Sequence, residues 1–233
     1  MLNREQIIAW NDQVIAADPE GDGDFELVFA APDVVDDVAQ LEALIGAPLP
    51  ADLRALYLQV GAFKHVHYAL AWQTLRIESV STQLHWLTRP ENRAFSRPYS
   101  LGLVAAIHAA WGEREEFNDA LEAEAEQLVN ANYVVFGSRH IDDNVIDYWY
   151  FDRQGLFGNF RFDQDEAAYN VGRIEQLADI LPRANADLSP AERRAYVLAE
   201  AESYGTEDTF PRYTLNQLLR AQFDAITLHL AEQ

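Results

Sequence analysis

The stretch "YVVFGSRHIDDNVIDYWYFDRQGLFGNFRFDQDE", Tyr133 to Glu166, decides the fold. It is dense in β-branched and aromatic residues and is cut by polar turn segments, the pattern of successive strands. Tyr133 to Phe136 reads as one strand. Ile146 to Phe151 and Leu156 to Phe162 read as a hairpin across "DRQG", with Gly155 suited to a positive φ. Side chains alternate along a strand, so Tyr148 and Tyr150 share one face and Trp149 and Phe151 the other. Aromatics on both faces call for cover on both sides.

Helical patterns surround this strand region. Near the N-terminus Asn3 can cap a helix over Leu2 to Ala17, with Gln6 reaching back, and Ile7, Ile8, Trp10, Val14 and Ile15 form its apolar face. Phe25 to Ala30 reads as a short strand. "LEALIGAPLPADLRALYLQVGAF", Leu41 to Phe63, is a helix pair joined by a proline-fixed bend, with Gly46 and Gly61 as stops. From His65 to Leu87 the pattern shifts toward period two, and "HVHYALAW" and "TLRIESV" read as strands. "SLGLVAAIHAAW" and "EREEFNDALEAEAEQLVNAN" are helical. "GRIEQLADILP" reads as a short helix ended by Pro182. Ser189 and Pro190 open another helix, and Leu215, Leu218, Leu219, Phe223, Ile226 and Leu230 stripe a last one over Tyr213 to Leu230. The fold class expected is α+β: a mostly antiparallel central sheet flanked by helices over residues 1–182, with a C-terminal helical extension over 183–233. That extension either packs on the same domain or forms a homodimer.

The 233 residues are 49% hydrophobic and 12% aromatic, enough for a sizeable core and too apolar for a disordered chain. The absence of cysteine excludes disulfides, thiolate metal sites and cysteine catalysis. No run has the length of a membrane span and the first residues lack a signal peptide's apolar segment, so a cytoplasmic location is expected. Seventeen basic against 38 acidic residues give a net charge of −21, which repels nucleic acid and anionic membranes and attracts a basic partner.

Motifs that carry chemistry are scarce. Asp18, Glu20, Asp22 and Asp24 begin like a calcium loop, but Phe29 stands where a bidentate glutamate is required. His65 and His67 share a strand face without a third ligand at a diagnostic spacing. Arg89, Arg93 and Arg97 concentrate basic charge in one loop. "SRHIDD", Ser138 to Asp143, brings serine, histidine and aspartate together, yet proximity in sequence does not make a triad. No nucleophile elbow, phosphate loop, dinucleotide fingerprint or zincin helix is present. The aromatics between Tyr148 and Phe162 read as sheet core in preference to a sugar or base platform.

The "IGAPLPADLRALYLQVGAF" element resembles the start of the SUKH superfamily, which includes fungal cell-wall synthesis regulators and many bacterial proteins. Gly46, Leu49, Pro50, Asp52, Leu56, Tyr57 and Gly61 match its pattern. "VVFGSRHIDDNVIDYWYFDRQGLFGNFRF" looks like the family's central strands, with Asp152 at the place of an aspartate ending an aromatic strand. "RIEQLADIL" looks like its closing helix. The resemblance, over about Val34 to Leu181, implies a binding domain without catalysis, cofactor or metal. In bacteria it implies an immunity protein that neutralises a polymorphic toxin, often a nuclease or deaminase. A basic toxin domain suits the acidic charge. The residues expected to meet it are exposed acids around the sheet: Asp142, Asp143, Asp147, Asp163, Asp165 and Glu166. Two other readings stand beside this one: a regulatory or scaffold module of the same fold, and a hydrolase or metal-dependent enzyme using carboxylates that no motif marks.

Overall fold

Each strand pairs with its neighbour in chain order. The computed structural model describes residues 2–18, 25–67, 74–88, 100–111, 117, 120–184, 188–204 and 209–231. Six strands form one sheet in chain order: β1 (Phe25–Phe29), β2 (Phe63–His67), β3 (Leu75–Ile77), β4 (Tyr133–His140), β5 (Val145–Asp152) and β6 (Phe157–Asp163). Every neighbouring pair is antiparallel. The β5–β6 hairpin turns as its sequence requires. Gly155 takes φ +81°, and Asp152 Oδ1 accepts from the amides of Gln154 and Leu156, both at 2.9 Å.

Nine helices lie among the described residues: α1 (Arg4–Ala17), α2 (Val35–Ile45), α3 (Ala51–Ala55), α4 (Val80–Thr88), α5 (Leu103–Trp111), α6 (Ala123–Asn132), α7 (Ala167–Ala184), α8 (Pro190–Tyr204) and α9 (Leu215–Ala231). They make two hydrophobic cores, one on each side of the sheet. Trp149, Phe151, Phe136 and Phe157 join Leu75 and Ile77 beneath α1, α3, α4 and α9. Tyr148, Tyr150, Phe160 and Phe162 face the other way, beneath α5 to α8. The architecture is α+β, with helices on both faces of an antiparallel sheet.

Local chemistry sets the joints. At α1, Asn3 and Gln6 form the reciprocal capping box. Beyond α3 the chain widens into a π turn over Leu56–Val60, and the Gly61 amide bonds the Leu56 carbonyl at 2.9 Å. Gly61 has φ +89°, and a Cβ there would run into the Ala30 carbonyl oxygen. The guanidinium of Arg4 then donates to the Val60 carbonyl at 2.9 and 2.7 Å.

Two sequence expectations are corrected. Val80–Thr88 is helix α4, not a continuation of the period-two pattern. Ser79 Oγ accepts from the Thr82 amide at 3.2 Å, a cap that overrides the weak alternation. Helix α7 does not end at Pro182 but runs to Ala184; proline in a last turn removes only one backbone hydrogen bond.

Helix α9 lies along α1 and uses its whole apolar stripe within the chain. Leu215, Leu218, Leu219, Phe223, Ile226 and Leu230 are all buried. The Phe223 ring sits 5.7 Å from Trp10, 6.4 Å from Phe63 and 5.8 Å from His65. His65 is wholly buried there and donates from Nδ1 to Asn11 Oδ1 at 2.7 Å. No three histidines or carboxylates among the described residues are placed to share a metal ion.

Candidate functional site

Two turns at one end of the sheet gather the acids. The β4–β5 turn carries Asp142 and Asp143; the β6–α7 turn carries Asp163, Asp165 and Glu166. Register sets them side by side, because Val145 pairs with Asp163. The Gln164 amide bonds the Asn144 carbonyl, and Asn144 Nδ2 donates to Asp165 Oδ2, both at 2.9 Å. Asp142 Oδ1 accepts from the Asn144 amide at 2.7 Å, and Asp163 Oδ1 from the Asp165 amide at 3.0 Å. These carboxylates therefore shape their turns as well as charging them. Asp142, Asp143, Asp165 and Glu166 are exposed, and Asp163 is half-buried.

Asp147, expected among the exposed acids, is not one of them. It is 1% exposed and lies on the face of Trp149 and Phe151. Arg161 grips its carboxylate from β6 at 2.8 and 3.1 Å. Arg139 on β4 stands opposite it in register. Burial pushes the Arg139 guanidinium down to about 10, against the pull of the Asp147 charge. Asp147 is thus the centre of a cross-strand charge ladder, where its role is structural.

Beside the acidic turns, on the opposite face of the sheet, a groove follows β4 beneath α5. It consists of two adjoining clefts, each of about 400 Å³, that share Arg76, Ala110, Ser138 and Tyr148. One end is bounded by Asp142, Asp143, His140 and Trp111. The other reaches Trp86, Gln83 and Leu101. Small side chains leave the space open: Ala106, Ala109 and Ala110 on α5 face Gly137 and Ser138 on β4.

Strand alternation explains the polar content. Ser138 and His140 sit two apart on β4, and Tyr148 pairs with Ser138, so all three point into the groove. Ser138 is 7% exposed. Burial, reinforced by the Arg76 charge, lowers the His140 pKa and so favours the neutral ring. Arg76 is itself paired with Glu78 at 3.0 Å. Ser138 and His140 share the groove without a hydrogen bond between them, so they are not arranged as a nucleophile and its base.

Sequence reasoning located the acidic turns and singled out "SRHIDD". It did not find Arg76, Trp86, Ala110 or Trp111, which come from three other elements and meet only through the sheet register. Tyr150 is core, its hydroxyl bonded to the Thr209 carbonyl, and Trp149, Phe151 and Phe157 are buried with it. The acidic residues Glu20, Asp22 and Asp24 and the arginines at 89, 93 and 97 lie outside the described residues. No helix among the described residues is long and apolar enough to cross a membrane. No protein-family profile, curated protein or solved structure matches this chain.

Proposed function

We propose that this chain is an immunity-type protein of SUKH-like build, which binds and masks a basic toxin domain without catalysing a reaction. The observation that carries the reading is the convergence of Asp142, Asp143, Asp163, Asp165 and Glu166 at one end of the sheet, within a chain of net charge −21. A nuclease presents cationic groups to phosphate, and an acidic surface is steered onto those groups and covers them. The turns that present the acids are fixed by their own hydrogen bonds, so the surface is formed before a partner arrives. The Ser189–Tyr204 and Leu215–Ala231 region supports this surface from within by closing both cores.

Isothermal titration against the toxin domain encoded beside this gene tests the reading. Tight binding that weakens steeply with salt is expected, with a loss on reversing Asp165 and Glu166 to lysine. A toxin that is not bound, or whose catalytic activity continues in the complex, overturns it.

A further inference from the structure

Helix α8 is less well anchored than its neighbours in sequence. Over 15 residues it buries Arg193, Val197 and Ala201, spaced four apart along one stripe. Only Val197 and Ala201 of these are apolar, and Tyr196 adds a half-buried ring. By contrast α7 gives the same core Val171, Ile174, Leu177, Ala178, Ile180 and Leu181, and α9 buries its whole apolar stripe in the other. The third buried group of α8 is a guanidinium. Arg193 is 3% exposed and its Nη2 lies 2.9 Å from Asp152 Oδ2, but that oxygen gains no aligned hydrogen bond. Arg193 Nε and Nη1 have no acceptor among the described residues. Each of these atoms gives up a hydrogen bond to water when the helix docks, and undocking restores it. Docking is therefore weakly favoured by apolar burial and opposed by polar burial. A segment with so few buried apolar contacts opens below the free energy of global unfolding.

We propose that α8 is a releasable cover over the second core: it lifts as a unit, with Arg193 leaving Asp152, while the sheet, α7 and α9 stay folded. What it bares is specific. Tyr133 and Tyr150 lie beside the ion pair, with their rings 5.1 Å apart and edge to face. Their hydroxyls are bonded to the carbonyls of Leu177 and Thr209, not to α8, so both rings keep their places when it leaves. The open state thus presents a carboxylate beside two fixed tyrosine rings, a surface that the closed state shuts with its own arginine. At the far end of α8, Tyr204 stacks on Phe210 at 5.8 Å, a contact that parts in the same movement. The inference does not depend on what the chain binds.

Native-state hydrogen exchange of the whole protein tests this. The amides of Val197, Leu198 and Ala201 should share one opening and exchange roughly a hundredfold faster than those of Trp149 in β5 and Ile174 in α7. Their exchange should also respond less to added urea than global unfolding does, because less surface is exposed. If α8 exchanges only with global unfolding, or in a gradient from its ends as fraying gives, the release is overturned. The part played by Arg193 is read from Asp152→Asn combined with Arg193→Met. An amide oxygen at 152 can still accept from the amides of Gln154 and Leu156, and methionine keeps an apolar stem without the charge. Removing both charges should slow exchange in α8 roughly tenfold relative to β5, because apolar replacement of a buried pair relieves its desolvation. Exchange that quickens or stays level means that Arg193 fastens the helix, and it overturns the assignment of that residue as the weak point. The parent pattern needs no substitution, so it decides the release even where the double variant does not fold.

Discussion

Nη2 of Arg193, on α8, lies 2.9 Å from Oδ2 of Asp152 at the end of β5, and both side chains are shielded from solvent. The pair ties the C-terminal helices to the central hairpin. Asp152 serves two ends at once, since its other oxygen holds the Gln154 and Leu156 amides. Arg193 is less well served: its Nε and Nη1 find no acceptor among the described residues. Burial pushes the Asp152 carboxyl up, with Arg193 and the turn amides pulling against it.

Removing the cation should expose that imbalance. Arg193→Met is expected to cost about 3–5 kcal/mol at neutral pH, because it leaves a buried carboxylate alone. A carboxyl with a raised folded pKa holds its proton more tightly when folded, so its ionisation subtracts stability as pH climbs from about 3.8 through the folded value. The penalty of Arg193→Met should therefore shrink as the pH falls toward 3.8. Urea unfolding at neutral and mildly acidic pH measures it; a penalty independent of pH would mean that Asp152 is not left charged.

Acids near the site should divide by role. Asp147→Asn is expected to cost about 3 kcal/mol or more, since it removes the buried charge that Arg161 grips and that stands opposite the buried Arg139. Asp142→Asn keeps the acceptor that bonds the Asn144 amide and should stay within about 0.5 kcal/mol of the parent. Equal effects in chemical denaturation would remove the distinction drawn between the ladder and the turn.

Gly61→Ala should cost upward of about 2 kcal/mol, combining a left-handed φ with a collision against the Ala30 carbonyl. Gly172→Ala, in α7 with no atom near a new Cβ, should stabilise by about 0.5–1 kcal/mol. Thermal melts of the two variants, moving in opposite directions, check both.

Phe223→Ala should cost about 3–5 kcal/mol, because its ring joins Trp10, Phe63 and His65 in one cluster. Leu228→Ala, on the same helix at 61% exposure, should change stability by less than about 0.5 kcal/mol. A chain cut after residue 182 should fail to fold cooperatively, which circular dichroism on heating would show.

Elements with strong local signals were legible in the sequence. The Asn3–Gln6 box, the αL stop at Gly46 and the Gly155 hairpin all form as residue chemistry dictates. Helix α4 was not, because Val80 and Leu84 fit a strand until Ser79 caps them. Asp147 carried an overlooked signal: two positions before Trp149, it had to share that residue's buried face. The groove was beyond reach for a different reason. Its defining property is the volume left unfilled where α5 meets β4, and an alanine reads the same whether its neighbour is a side chain or a void.

The meander also sets a timetable for synthesis. Each strand can pair with the one before it as the chain leaves the ribosome, but the layer over Trp10, Phe63 and His65 arrives only with α9. Until Phe223 is in place, Trp10, Phe63 and His65 lack the ring that joins them, while α3 and α4 already cover the neighbouring part of that face. That layer is thus closed by a contact between residues more than 150 positions apart, so it forms later than the strand pairs it covers.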